Sequence, residues 1–188
     1  TTRFNFKQHT STTSVTNAIR QIRFPSGSAT HTRSALSEVR QKLFELSGSG
    51  IRTSASVPAI VVVVTDGAHS PGQDPANEAV LLRGLGAQIF AVGIGLQTSQ
   101  LQPMASSPAS TFVRTIADFS QLQGAIRDFT AKVCTAVSTA LPPVAYVPPA
   151  STTQSVRCSR GADLVLVLDG SGSVRSSGWE RIKTFATR

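Results

Sequence analysis

Two uninterrupted apolar runs predict the core strands of the fold. Residues 60–64 (IVVVV) and 164–168 (LVLVL) each place five apolar side chains in a row, without the alternation of a strand that faces water on one side. Such runs are typical of parallel strands that are buried on both faces beneath helices. We therefore expect a parallel sheet in which both of these strands are buried on both faces.

Helical and strand patterns alternate along the rest of the chain. Helical spacing predicts helices over 14–24, 35–44, 74–85, 101–106, 119–133 and 179–187, and strand patterns cover 1–7, 87–95 and 111–116. In the 74–85 helix we expect Ala79, Val80 and Leu82 to face the core. This order of elements predicts a doubly wound α/β fold, a mostly parallel sheet flanked by helices.

Composition narrows the possible functions. The chain has 188 residues, 40% of them apolar, and no apolar segment near the ~20 residues that a membrane span needs. The formal net charge of +8 favours anionic partners such as acidic proteins or glycans. One Trp and one Tyr provide no stacking platform for bases, so nucleic acid is not an expected partner.

The stretch D-G-S-G-S, which follows the run at 164–168, carries candidate metal ligands. Asp169, Ser171 and Ser173 leave a glycine-rich turn at the carboxyl edge of the predicted sheet, where open α/β folds bind ligands. One carboxylate and two hydroxyls are hard oxygen donors that suit Mg²⁺ or Ca²⁺. The alternative is an ordinary Ser/Gly loop. An enzyme is not expected, because these serines lie in no G-x-S-x-G turn and no His is placed to act as their base.

Several motifs together resemble one family. D-G-S-G-S after an apolar strand, T-x-T-x-x-A-L at 30–36, V-V-T-D-G at 63–67 and A-V-G-I-G at 91–95 are similar to motifs of the von Willebrand factor type A (VWA) domain, which occurs in matrilins, several collagens and integrins. Residues 105–126 also resemble the last strand and helix of that family. The resemblance covers nearly the whole chain outside a Pro-rich segment.

The resemblance implies a metal-ion-dependent adhesion site. Its ligands would be Asp169, Ser171 and Ser173 from the first loop, Thr30 from the second and Asp66 from the third. The implied cation is Mg²⁺, or Ca²⁺ or Mn²⁺, with an open coordination position that accepts a carboxylate from a partner. One departure from the family pattern is Arg33, which stands where the family usually has glycine and places a basic side chain near the site.

The order of these motifs differs from that of a single VWA domain. Residues 1–134 correspond to the back of one domain and 158–188 to the front of another, with a Pro/Ser/Thr-rich linker at 135–157. We expect about 20 intervening residues of the family pattern to be absent. The front part can fold back on its own chain, complete the next copy, or belong to a tandem array. We favour a repeating assembly over self-closure.

The two cysteines flank the predicted linker. Cys134 and Cys158 favour a disulfide in an oxidising compartment, with two unpaired thiols as the alternative. By the resemblance, cysteines that bracket one domain pair, so Cys158 of one copy would join Cys134 of the next.

The expected function is therefore non-enzymatic. The leading hypothesis is a secreted structural and adhesive protein of an extracellular matrix or filament, in which VWA domains join head to tail and the Asp169 strand completes a neighbouring domain. Its partners would be other copies of itself or neighbouring VWA domains. The alternative is a secreted or cell-surface receptor module that binds an acidic ligand through the cation.

Overall fold

One parallel sheet organises the protein. The computed structural model describes residues 2–52, 57–139 and 161–187. Its four strands lie in the order β3-β2-β1-β4 and are all parallel. The strands are β1 (Ala59–Thr65), β2 (Ala87–Ile94), β3 (Val113–Ile116) and β4 (Asp163–Leu168). The helices are α1 (Thr12–Gln21), α2 (Thr32–Val39), α3 (Ala76–Gly84), α4 (Thr98–Leu101), α5 (Ala109–Phe112), α6 (Ile126–Thr139) and α7 (Arg175–Ala186).

Shorter turns extend or precede these helices. A π-helical segment, Arg40–Glu45, continues α2, and 3₁₀ turns occur at Phe119–Gln121 and Gly172–Val174. The expected doubly wound α/β architecture is thus confirmed. No helix within the described residues has both the length and the apolar character that crossing a membrane requires.

The core forms around β1. All seven residues of this strand are buried, because β2 and β4 pair with it on either side and helices cover the sheet. An aromatic chain runs from Phe112 through Phe90 and Phe129 to Phe185, with ring centroids 4.7, 5.5 and 5.5 Å apart. These four phenylalanine rings pack β2 against α5, α6 and α7.

The last strand lies beside the middle of the chain. β4 pairs with β1 along its full length, for example Val165 with Val61 and Leu168 with Val64. This is the self-closed arrangement of the three considered above. The residues that join the two parts, 140–160, lie outside the described residues.

The apolar run of β4 predicted burial on both faces, but the strand is not buried in this way. It occupies the edge of the sheet, and the side chain of Leu164 is 49% exposed whereas Val165 is buried. The outer side of β4 and residues near the start of the chain, including Phe4 and Phe6, line a cavity of about 560 Å³. The expectation was wrong because, within the described residues, no element fully covers the face of β4 that carries Leu164.

The predicted strand at 1–7 is also absent from the described part of this segment. Residues 2–5 have no regular structure and 6–8 form a turn. Phe6 is half-buried and packs against the core, and Phe4 makes an edge contact with His9 at 5.0 Å. The alternating pattern produces no strand here because a strand needs a neighbour for its backbone hydrogen bonds, and within the described residues none pairs with it.

The core face of α3 differs at one position from the expected one. Ala79 and Leu82 are buried as predicted, but Val80 is 57% exposed. Glu78 is buried in its place, and its carboxylate accepts a 2.8 Å hydrogen bond from Arg40 Nε. An acidic side chain faces inward because an arginine on the neighbouring helical segment pairs with it.

The linker begins later than predicted. Helix α6 continues to Thr139, so residues 135–139 are helical and not part of an extended linker. Cys134 lies within this helix. Cys158 and the rest of the predicted linker lie outside the described residues, so the disulfide remains a prediction.

Candidate functional site

The two aspartates predicted as ligands follow neighbouring strands. β1 and β4 are parallel and in register, so Asp66 and Asp169 emerge at the same edge of the sheet. Thr65 Oγ1 donates a 2.6 Å hydrogen bond to Asp169 Oδ2 and thereby ties the two strand ends together. The carboxylates come from opposite halves of the chain, and the parallel pairing brings them to one place.

Residues 169–173, called the serine loop below, connect these carboxylates. Asp169 Oδ1 accepts a 2.9 Å hydrogen bond from the backbone N–H of Ser171, which closes the turn. The hydroxyls of Ser171 and Ser173 lie 2.9 Å apart, and Ser173 Oγ donates to Asp66 Oδ1 at 2.8 Å. Four of the five predicted ligands therefore form one continuous chain of polar contacts.

The fifth predicted ligand, Thr30, lies beside Gly67. Its backbone is fixed by Ser70: Thr30 N donates to Ser70 Oγ and Ser70 N donates to Thr30 O, both at 3.0 Å. A Cβ built on Gly67 would lie 3.4 Å from Thr30 Oγ1, so the glycine after Asp66 gives this hydroxyl room. The structure thus brings Thr30 to the same edge as the other four.

The segment that contains Pro25 and Gly27 also holds the serine loop in place. Gly27 N donates to Gly170 O at 2.9 Å, and Gly172 N donates to Gly27 O at 2.7 Å. Pro25 packs so closely on Gly170 that a Cβ there would lie 2.2 Å from Pro25 Cγ. The loop conformation therefore depends on the segment between α1 and α2.

Sequence reasoning missed these supporting residues. Pro25, Gly27 and Ser70 belong to none of the motifs described above. Thr65 stood in the V-V-T-D-G motif directly before Asp66, so its position was a usable signal.

Arg33 leaves the second loop intact: α2 begins at Thr32, and Arg33 N donates to Gln73 O at 3.2 Å.

The electrostatics of the site favour a cation. Burial raises the pKa of Asp66 above its usual value, and the nearby charge of Asp169 raises it further, while the hydrogen bond from Ser173 opposes both. A positive charge beside Asp66 would offset both the burial and the neighbouring negative charge that raise its pKa. Within the described residues, this site included, no group of three or more His, Cys, Asp or Glu is placed to hold a metal, so the remaining donors here would be hydroxyls.

The donor set fits a hard divalent ion. Octahedral Mg²⁺ holds oxygens at ~2.1 Å, which places neighbouring ligand atoms about 3 Å apart. The separations of 2.9 Å between the serine hydroxyls and 2.8 Å between Ser173 and Asp66 are close to that spacing. Two carboxylates neutralise the ion only formally, so neutral hydroxyls leave it able to attract a further anionic oxygen.

Comparisons with known proteins agree with this fold. The family model for the von Willebrand factor type A domain matches residues 1–128. The mouse collagen alpha-4(VI) chain is 32% identical over 188 residues, which is 98% of this chain and 7% of the relative. Human matrilin-1 is 26% identical over 211 residues, which is 98% of this chain and 42% of the relative. The chain therefore spans less than half the length of these relatives.

A solved structure shows the same fold. Proximal thread matrix protein 1 from the mussel byssus, described with a zinc-occupied MIDAS motif, has a TM-score of 0.65 and 24% identity, covering 71% of this chain and 33% of that one. At this identity the likeness concerns the fold alone. Together with the family model, which covers more than half of the sequence, it completes the assignment: the chain belongs to the von Willebrand factor type A domain family.

Proposed function

We propose that this chain is a secreted, non-enzymatic structural and adhesive component of an extracellular matrix or filament. In this proposal, VWA units join head to tail, and segment 161–187 of one unit completes the sheet and the cation site of its neighbour. The observation that carries it is the docking of β4 on β1, a contact within this chain that assembles one oxygen cluster from two distant parts of the sequence and that a neighbouring copy can supply with the same residues. Relatives among collagen VI chains and matrilins support a matrix role.

The contact surface of segment 161–187 supports docking as a unit. Beyond the strand pairing, α7 buries Trp179, Ile182 and Phe185. Trp179 Nε1 donates to Ile22 O at 3.0 Å, and Lys183 Nζ donates to Arg20 O at 3.0 Å. The same surfaces can meet within one chain or between two, because a segment of 21 residues such as 140–160 reaches at most about 70 Å and its length excludes neither arrangement.

Repetition of this contact produces a filament. When the donor and acceptor surfaces lie on different parts of the same chain, each copy can complete the next, and the assembly stays open unless the rotation closes. A parallel strand donated along a whole edge supplies main-chain hydrogen bonds in addition to apolar burial. The same geometry serves tandem units within a longer polypeptide.

The matches to relatives favour such a tandem order. The similarity to collagen alpha-4(VI) and to matrilin-1 extends over 98% of this chain, through both the 1–134 part and the 158–188 part. An alignment preserves order, so these relatives carry a back part followed by a front part as this chain does. That order is expected when the front part belongs to the next unit in a series.

The cation site supplies the adhesive part of the proposal. Asp169, Ser171, Ser173, Thr30 and Asp66 would hold Mg²⁺, Ca²⁺ or Mn²⁺, which then binds a carboxylate of an acidic protein or glycan. The zinc-occupied site described for the mussel thread protein supports a divalent ion in this fold. A receptor module that captures such a ligand is the second candidate, favoured by the exposure of Ser173 at the protein surface.

Mass measurement tests the assembly. We expect multiples of the chain mass by size-exclusion chromatography with light scattering, increasing with protein concentration and persisting in EDTA. A single monomer mass at every concentration would contradict head-to-tail assembly. If Cys134 and Cys158 pair between copies, non-reducing electrophoresis shows a ladder, whereas pairing within one chain leaves a monomer band.

Ligand binding separates the two candidates. Substitution Ser173→Ala removes one predicted ligand, and the exposed Ser177 on α7 provides a matched control, Ser177→Ala. A receptor module loses binding of an acidic peptide both in EDTA and in Ser173→Ala but not in Ser177→Ala. A scaffold keeps its assembly in all of these conditions.

A further inference from the structure

The apolar residues of β1 and β4 do not define how the two strands align. Residues 60–64 are IVVVV and 164–168 are LVLVL, so a slip of two positions keeps every apolar side chain on the same face. Such a slip also preserves the pattern of parallel backbone hydrogen bonds. Something other than the apolar residues of these two strands must select the observed register.

A polar contact at the start of β4 provides that selection. Asp163 accepts hydrogen bonds from Arg52 at three points: from the backbone N at 2.5 Å, from Nε at 2.9 Å and from a terminal guanidinium nitrogen at 2.6 Å. The side chain of Asp163 is only 4% exposed, whereas that of Arg52 is 56% exposed. A buried carboxylate that loses its partner is strongly destabilising, so a slipped strand is penalised.

We propose that Arg52 selects both the register and the identity of the strand that completes the sheet. Resting on the head-to-tail function proposed above, the partner is segment 161–187 of a second copy. Arg52 selects a strand that carries a carboxylate six residues before the aspartate of the cation site. In this chain the carboxylate is that of Asp163 and the aspartate is Asp169. A strand with an apolar or basic residue at that position docks poorly, even when its apolar run is identical.

This selection extends to the cation site at the other end of β4. Six residues of strand place Asp169 about 20 Å from the Arg52 contact, and a slip of two residues displaces Asp169 by about 7 Å. That displacement exceeds any hydrogen bond and breaks the contact with Thr65 Oγ1. Arg52 is thus a positioning residue for a site that it does not touch.

Charge exchange in the full chain tests the proposal. The variants are Arg52→Asp, Asp163→Arg and the double variant, with the exposed Arg23→Asp as a charge-matched control. Mg²⁺ alone is the probe, and its dissociation constant is measured by titration. We expect each single exchange to weaken Mg²⁺ binding about tenfold or more, and the double variant to recover to within about threefold of the wild type.

The same variants test selection between copies. The Arg52→Asp chain keeps the wild-type strand with Asp163. The Asp163→Arg chain keeps the wild-type Arg52, with which that strand pairs. An equimolar refolded mixture therefore forms mixed assemblies, in which both kinds of contact are complementary, while neither chain assembles by itself. Absence of mixed assemblies overturns selection between copies.

The double variant keeps the test decisive even where a single variant fails to fold. If the double variant binds Mg²⁺ no better than the weaker single variant, the pair does not set the register and the inference fails. This outcome differs from failure of the proposed assembly, which appears as a monomeric wild-type chain. Charge rescue within that monomer still supports the role of Arg52 in register.

Discussion

Thr65 Oγ1 donates a 2.6 Å hydrogen bond to Asp169 Oδ2, although the two residues are 104 positions apart in the sequence. Thr65 ends β1, and Asp169 directly follows β4. The candidate cation site therefore exists only when segment 161–187 is docked. Because a cation binds the docked form and not the separated parts, its binding energy adds to the stability of docking.

Removing the Thr65 hydroxyl tests this link. The substitution Thr65→Val keeps the shape of a buried side chain but leaves Asp169 Oδ2 without this donor. We expect a loss of about 1–3 kcal/mol in the free energy of unfolding, measured by urea denaturation, together with weaker Mg²⁺ binding. Thr130→Val is the control, since Thr130 Oγ1 donates to a carbonyl of its own helix, Ile126 O. Equal losses in both variants would contradict the link.

Replacing Asp66 should affect apo and cation-bound protein in opposite ways. The pKa of Asp66 is raised mainly by burial and also by the charge of Asp169, so the ionised carboxylate destabilises the folded apo protein at neutral pH. Asp66→Asn is then expected to melt at a higher temperature than the wild type in EDTA. It should also lose the rise in melting temperature that Mg²⁺ produces. A variant less stable than the wild type in EDTA would argue against this account.

The contact between Gly170 and Pro25 predicts a steric effect on the loop. A Cβ at position 170 would lie 2.2 Å from Pro25 Cγ, so Gly170→Ala must displace the proline or the serine loop. We expect a loss of about 1–3 kcal/mol in the free energy of unfolding. Gly84, at the end of α3, has nothing within 4 Å of an added Cβ. Gly84→Ala should be neutral or stabilising by up to about 1 kcal/mol, because alanine favours the helix.

Glu38 predicts a pH dependence of stability. The pKa of its carboxyl is lowered to about 2, first by the hydrogen bond from Lys42 and then by that from the backbone N–H of Thr2. A carboxyl with a lowered pKa stabilises the fold above its unfolded pKa of about 4.3, and this contribution disappears as the pH falls through about 2.

The measurement compares Glu38→Gln with the wild type across that range. We expect the variant to be less stable by about 1 kcal/mol at pH 7, with the difference vanishing between about pH 4.3 and pH 2. Glu180→Gln is the control, because the side chain of Glu180 is 69% exposed in its ion pair with Lys183 within α7. A pH-independent difference for Glu38→Gln would contradict an electrostatic origin.

Particular elements show which expectations depended on local pattern. The helix and strand periods located most elements, and Trp179, Ile182 and Phe185 proved to be the buried face of α7, as their spacing predicted. The prediction that Val80 is buried was wrong because Glu78 faces inward instead. Glu78 does so because it pairs with Arg40 from a different helical segment. Helical spacing alone carries no information about that partner.

The candidate site divides in the same way. The motifs indicated which residues belong together, and the structure brings Asp66, Asp169, Ser171, Ser173 and Thr30 to one edge of the sheet. The residues that hold them there, Pro25, Gly27 and Ser70, were not singled out. Their contribution is made by backbone groups and by close packing, which leave little trace in residue type.

By itself, the sequence determined the α/β class and the core strand β1, since each depends on residues that are close together in the chain, and its motifs predicted the oxygen donors of the site. Only the tertiary structure decided the position of β4 at the sheet edge, the exposure of Leu164, the absence of a strand at 2–8 and the pairing of Arg52 with Asp163. These features depend on which segments lie side by side. Burial and backbone pairing are properties of the neighbour as much as of the residue, so a local pattern cannot specify them.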